Sequence, residues 1–153
     1  MNLKVLTPCE KVIQDARSGP SLIATFQEMQ VGIPEGQILP TNAVIPKDWA
    51  IFALWHSAES ESFPTFRQWL VILWPDGSEF IRQPLDVKVD KPEWTMSTVQ
   101  IQGFPMGQKG RLTIRVWIEV DNQMISEVGE TWIDVKHLAS NPPTLAGVAR
   151  REG

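Results

Sequence analysis

The chain has 153 residues, a formal net charge of −4, 42% apolar and 21% charged residues, and a single cysteine. Such a length can bury about two-thirds of the unfolded surface in one core without disulfides or metals, and the composition excludes a wholly disordered or collagen-like chain. Cys9 alone excludes an intrachain disulfide and a zinc site built from cysteines. Lys and Arg scattered singly on a chain of pI about 5.2 supply no positive field to attract nucleic acid.

The first predicted strand covers residues 3–13, with Pro8 at an edge or bulge. Arg17-Ser18-Gly19-Pro20 reads as a turn, and residues 21–30 alternate as a second strand. Residues 32–46 hold Pro34, Gly36, Pro40 and Pro46, too many breakers for a helix or a central strand, so they form a crossover loop. Residues 48–57 are a third strand and 58–64 a polar loop of Ser and Glu. Residues 65–74 form a strand that turns at Pro75-Asp76-Gly77 into residues 79–83, with 85–89 either extending that strand past Pro84 or standing alone. Residues 97–103 alternate through Val99 and Ile101, and 104–110 are a loop.

The best-patterned hairpin closes the sheet region. Residues 112–120 put Leu112, Ile114, Val116, Ile118 and Val120 on one face and Arg111, Thr113, Arg115, Trp117 and Glu119 on the other. The turn is Asp121-Asn122, a dipeptide that tolerates positive φ. In the returning strand, 124–135, the apolar phase switches, which predicts a bulge near Ser126-Glu127 or Gly129. Residues 138–149 have room for one helical turn.

No segment of ten or more residues repeats with a 3.6-residue period. Eight or so short strands with Gly, Pro, Asn and Asp turns predict an all-β fold: a two-sheet antiparallel β-sandwich, immunoglobulin-like or C2-like, with a closed barrel as the alternative. Residues 1–138 form the single domain and 139–153 an extended or flexible tail.

The order of the pieces carries a resemblance. Cys9-Glu10-Lys11-Val12-Ile13-Gln14-Asp15, the Gly19-Pro20-Ser21-Leu22-Ile23 restart, the strand from Pro46 to Trp55, Val71-Ile72-Leu73-Trp74-Pro75-Asp76-Gly77, and the closing hairpin from Gly110 to Val135 together resemble a family of short, uncharacterised bacterial β-sandwich proteins of unknown function. The resemblance covers about residues 3–135 and rests on turn chemistry. It implies the fold and no activity.

Patterns for catalysis are thin. His56 and Ser57 stand beside Glu59, Ser60, Glu61 and Ser62, but a triad needs a base oriented by a third group and an oxyanion hole facing the nucleophile, and no Gly-x-Ser-x-Gly elbow is present. His56 and His137 lie far apart in sequence with no local ligand partner. Glu59, Glu61, Asp76 and Glu79 lie in or beside two loops but lack an Asp-x-Asp-x-Asp pattern for Ca²⁺. Gly103, Gly107 and Gly110 precede a strand instead of the helix terminus that cradles phosphate. The expectation is a non-enzyme that needs no metal or organic cofactor.

Seven tryptophans with no tyrosine are the remaining lead. In Trp49–Trp55 and Trp69–Trp74 both alternating faces are apolar, which predicts central, neighbouring strands whose second face is covered by the 32–46 loop, the tail or another chain, with Leu54 and Leu73 buried. Trp117 and Trp132 each sit among charges on the polar face, so Arg115, Trp117 and Trp132 form the candidate contact surface. The reading is a protein-interaction or assembly module binding another protein or itself, a possible homo-oligomer. A carbohydrate-binding sandwich with Trp stacking on sugar rings is the alternative, and an uncharacterised hydrolase comes third. The amino-terminal residues lack a secretory pattern and no apolar run approaches the roughly 20 residues of a membrane span, so a soluble, cytoplasmic protein with neither membrane nor nucleic-acid partners is expected.

Overall fold

The computed structural model describes residues 1–15, 19–57, 65–89 and 93–140. Among them run nine strands: β1 (Asn2–Asp15), β2 (Gly19–Thr25), β3 (Glu28–Pro34), β4 (Val44–His56), β5 (Thr65–Leu73), β6 (Glu79–Lys88), β7 (Trp94–Pro105), β8 (Gly110–Val120) and β9 (Gln123–Ser140). They build a two-sheet sandwich, a four-stranded sheet in the order β2-β1-β4-β7 and a five-stranded sheet in the order β3-β9-β8-β5-β6.

The hairpin turns follow from local chemistry. Between β5 and β6, Trp74 N donates to Ser78 O and Gly77 N to Trp74 O, both at 2.8 Å, and Gly77 takes φ +86°. The Asp76 carboxylate accepts from Ser78 N at 2.8 Å, fixing the turn from within. Between β8 and β9, Asp121 and Asn122 take φ +51° and +59°, the pair of left-handed residues that a tight hairpin requires. The predicted bulge is present: Val116 faces Gly129, Trp117 faces Glu127 and Ile118 faces Ile125, so β9 slips twice within that stretch. β6 runs unbroken through Pro84 because it is an edge strand, where a missing N–H removes no ladder bond.

Three expectations change. Residues 21–30 are not one strand: β2 stays beside β1, and β3 crosses to the other sheet to pair with β9, from Glu28 opposite Asp134 to Pro34 opposite Ser140. That pair is the parallel one in an otherwise antiparallel set. The crossing is held by Phe26, whose ring lies 6.1 Å from Trp49 and 6.4 Å from Phe104, while Phe26 N donates to Pro8 O and Asp134 N to Gln27 O. Second, the strands carrying Trp49–Trp55 and Trp69–Trp74 are both internal but lie in opposite sheets, since an apolar run fits an internal strand of either sheet. Third, Leu54 and Leu73 are only half-buried, whereas Leu70 and Ile72 are fully enclosed. β9 runs to Ser140; residues 141–153, which hold most of the expected tail and helical turn, lie outside the described set.

The main core fills the space between the sheets with Trp49, Ile51, Trp55, Leu70, Ile72, Ile101, Phe104, Leu112, Ile114 and Ile133. Trp49 meets Phe104 edge-on at 5.4 Å, and Trp55 meets Phe66 at the same distance. The two fully buried indoles find acceptors, as burial of that group demands: Trp49 Nε1 donates to Gly103 O at 3.0 Å and Trp55 Nε1 to Gln68 Oε1 at 3.0 Å. Ser97 Oγ donates to the same Gln68 oxygen at 2.5 Å, so one polar knot ties β4, β5 and β7 together across the sandwich.

Candidate interaction surfaces

Burial of the even-numbered residues Leu112 to Ile118 forces Arg111, Thr113, Arg115, Trp117 and Glu119 onto the outer face of the five-stranded sheet. Arg115, Trp117 and Trp132 therefore share one face, as the alternation predicts. They do not form one cluster. Trp132 is opposite Thr113, about 13 Å along β8 from Trp117 at roughly 3.3 Å per residue, with the Arg115–Glu130 ion pair of 2.8 Å between them.

Each ring on that face is engaged within the chain. Trp117 is half-buried, lies directly opposite Trp69, and carries the Arg82 guanidinium 5.6 Å from its ring centre. Trp69 Nε1 donates to Glu119 Oε2 at 2.7 Å. Trp132, 37% exposed, has Arg111 stacked 4.4 Å from its centre. Beside Glu119 opens a depression of about 420 Å³ lined by residues that include Arg67, Asp86, Asp121 and Asn122. Arg67 Nε donates to Asp86 Oδ1 at 2.8 Å, and that bond holds the Asp86 carboxyl below its ordinary value.

The outer face of the four-stranded sheet is different in kind. Cys9, Ala50 and Phe52 are buried there against Val12, Leu22 and Leu54, so the β1–β2 hairpin covers part of the second face of β4. Burial pushes the Cys9 thiol pKa up, against a smaller opposing effect of a hydrogen bond from the Lys11 backbone. Farther along, the cover stops. Val5, Leu54 and Met96 lie side by side in register, next to His56 and Trp94. Trp94 is 47% exposed, Met96 40% and Val5 37%. The Trp94 ring lies 4.7 Å from the His56 imidazole, at the end of β7. Thr98 Oγ1, one row away beside Phe52, is buried and has no hydrogen-bond partner.

The remaining candidate chemistries do not come together among the described residues. His56 packs against Trp94 with the rings tilted by 59°; His137 Nε2 lies 2.6 Å from Met106 O and so carries the proton it donates to that carbonyl. Residues 58–64, with Glu59 and Glu61, lie outside the described set. Asp76 is occupied by Ser78 and by Gln108 Nε2 at 3.1 Å. No group of three or more His, Cys, Asp or Glu capable of holding a metal occurs among the described residues. Gly107 serves packing: an added Cβ would come within 2.6 Å of Ala43 N and Thr41 O. No helix among the described residues is long and apolar enough to cross a membrane.

No family model matches the chain, and no curated protein matches its sequence.

The contact surface expected from the sequence leaves out Trp94, Met96, Trp69, Arg82 and Arg111. The signal for the first two is present in Trp94-Thr95-Met96-Ser97-Thr98-Val99-Gln100-Ile101-Gln102, an alternating stretch without a single charge. Arg82 and Arg111 carry no such signal, because their place over an indole depends on the register between strands.

Proposed function

We propose that this chain is a non-catalytic protein-interaction or assembly module that docks through the tryptophan-bearing outer side and edge of its four-stranded sheet. The observation that carries the reading is the contiguous apolar group of Val5, Met96 and Trp94, exposed around half-buried Leu54 at one end of the sheet, while the chain's own hairpin covers another part of that face. A sheet face normally alternates apolar inside with polar outside, and large apolar groups left side by side mark contact surfaces. Trp117, half-buried beside Arg82, and Trp132, 37% exposed with Arg111 over its ring, each meet an arginine of the same chain and move to second place.

A photo-activatable cross-linking residue placed at position 96 tests this in the cell that makes the protein, with the same residue at position 117 for comparison. Position 96 is expected to yield a discrete adduct with a polypeptide and position 117 much less. No adduct from position 96, or equal adducts from both, would sink the reading.

A second reading keeps one specific observation: Trp69 and Trp117 sit opposite each other beside the polar depression of Arg67, Asp86, Glu119 and Asn122, an arrangement that suits stacking on a sugar ring with hydrogen bonds to its hydroxyls. Quenching or a blue shift of tryptophan emission on titration with oligosaccharides, lost in Trp117→Ala, would favour it.

A further inference from the structure

The sandwich has four sheet edges, and three carry devices against pairing with another chain. β2 has Pro20 near its start, β3 carries Glu28, and β6 carries Glu79, Arg82, Asp86 and Lys88 with Pro84 in its middle. Charges and prolines on an edge are the usual guard against strand addition. β7 alone has neither a charged residue nor a proline ahead of its last position, and among the described residues it pairs with β4 only. Its regular ladder with β4 runs from Trp94 opposite His56 to Gln102 opposite Asp48; beyond it Gly103 turns to φ +85°.

We propose that the uncharged β7 edge pairs antiparallel with β7 of a second copy, about a two-fold axis at Thr98, joining two four-stranded sheets into one continuous sheet. This rests on the interaction-module reading and names its partner. The occupant follows from what an added strand must bury. Thr95, Ser97, Val99 and Ile101 of β7 already point into the core, and β6, the edge strand of the facing sheet, is in contact with β7 at the same side of the sandwich. A strand laid beside β7 therefore extends past the facing sheet. A lone peptide would leave its own inward side chains uncovered there, whereas the edge of a folded second copy brings its inward residues already buried. An edge without charge also meets its twin without like charges opposed.

The register follows from the ladder's extent. Full overlap of Trp94–Gln102 with its twin centres on Thr98 and sets Met96 opposite Gln100 and Trp94 opposite Gln102 of the partner. Outward residues face outward residues, as antiparallel pairing requires.

Sedimentation velocity over a concentration series tests the pairing with two charged variants of exposed positions, Met96→Lys with Gln100→Lys, and Met96→Glu with Gln100→Glu. Wild type is expected to pass from monomer to dimer as concentration rises. Each charged variant alone should self-associate at least about tenfold more weakly, and an equal mixture of the two should recover dimer, because the pairing sets Lys opposite Glu. Met96→Cys combined with Gln100→Cys, both at exposed positions, provides an independent readout, since the native thiol is buried: mild oxidation should join two copies through position 96 of one and position 100 of the other. A wild type that stays monomeric, charged variants that dimerise as wild type does, or a Met96→Cys, Gln100→Cys variant that fails to cross-link would overturn the proposal. A monomeric wild type that still cross-links from position 96 to a different polypeptide would overturn the second copy and leave the interaction reading standing.

Discussion

At the scale of single residues, the buried polar groups separate two kinds of position that look alike in sequence. Gln68, 1% exposed, accepts from both Trp55 and Ser97; Thr98, on the opposite side of the four-stranded sheet, has a buried hydroxyl with no partner. Removing an acceptor strands donors and costs about 1–3 kcal/mol, whereas removing an unpaired hydroxyl lifts a similar penalty. Gln68→Leu should therefore lower the unfolding free energy by about 1–3 kcal/mol, and Thr98→Val should raise it by about 1 kcal/mol, both read by urea unfolding at matched protein concentration. Stabilisation by Gln68→Leu would show that the polar knot is not what holds β4, β5 and β7 in register. The outward position of Trp117 was legible from two-residue alternation. Its arginine cover was not, since Arg82 reaches it from β6, with β5 between their strands.

At the scale of elements, what could be read locally was read. The β8–β9 hairpin, its left-handed Asp121-Asn122 turn and its bulge follow from residues within a few positions of one another. The split of β2 from β3 does not, because it depends on Phe26 packing against Trp49 and Phe104, both distant in the chain. Nor does sheet membership, which an apolar run cannot encode. Strand β5 shows the consequence for stability. Leu70 lies at 0% exposure in the core between the sheets, while Leu73 is half-buried at the strand's end. Leu70→Ala should cost about 2–5 kcal/mol, the range for a buried leucine that leaves a cavity, and Leu73→Ala clearly less. Equal losses in chemical denaturation would mean that the end of β5 is packed as tightly as its middle. Gly129 belongs to the same scale: a Cβ there would strike the end of the Leu3 side chain, so any other residue at that position requires Leu3 to shift.

At the scale of the whole molecule, the sandwich is closed inside by apolar packing and dressed outside by exposed ion pairs, two of which join edge strands to their neighbours. Lys136 Nζ lies 2.6 Å from Glu28 Oε2 across β9–β3, and Arg67 Nε lies 2.8 Å from Asp86 Oδ1 across β5–β6. The hydrogen bond from Lys136, helped by Gln30, lowers the Glu28 carboxyl pKa, and that from Arg67 lowers the Asp86 pKa. A carboxyl whose pKa is depressed in the folded state contributes stability that is present above its unfolded value of about 4 and is lost as pH falls through the lower folded value. Both pairs are solvent-exposed, so the contribution is modest and screened by salt. Its placement decides the outcome: below about pH 4 the ties at β3 and β6 weaken, and each of these edge strands is held by a neighbouring strand on one side only, whereas the internal strands β4 and β8, which also carry the exposed Lys47–Glu10 and Arg115–Glu130 pairs, keep a ladder on both sides and the core beneath them. Hydrogen exchange followed down the pH scale, corrected for the intrinsic pH dependence of exchange, should show protection falling at β3 and β6 before β4 and β8, with high salt narrowing the gap. Glu28→Gln and Asp86→Asn should each flatten the acid loss at its own edge alone. Protection that falls in all strands together would mean that acid acts on the sandwich as one cooperative unit and not through its edge ion pairs.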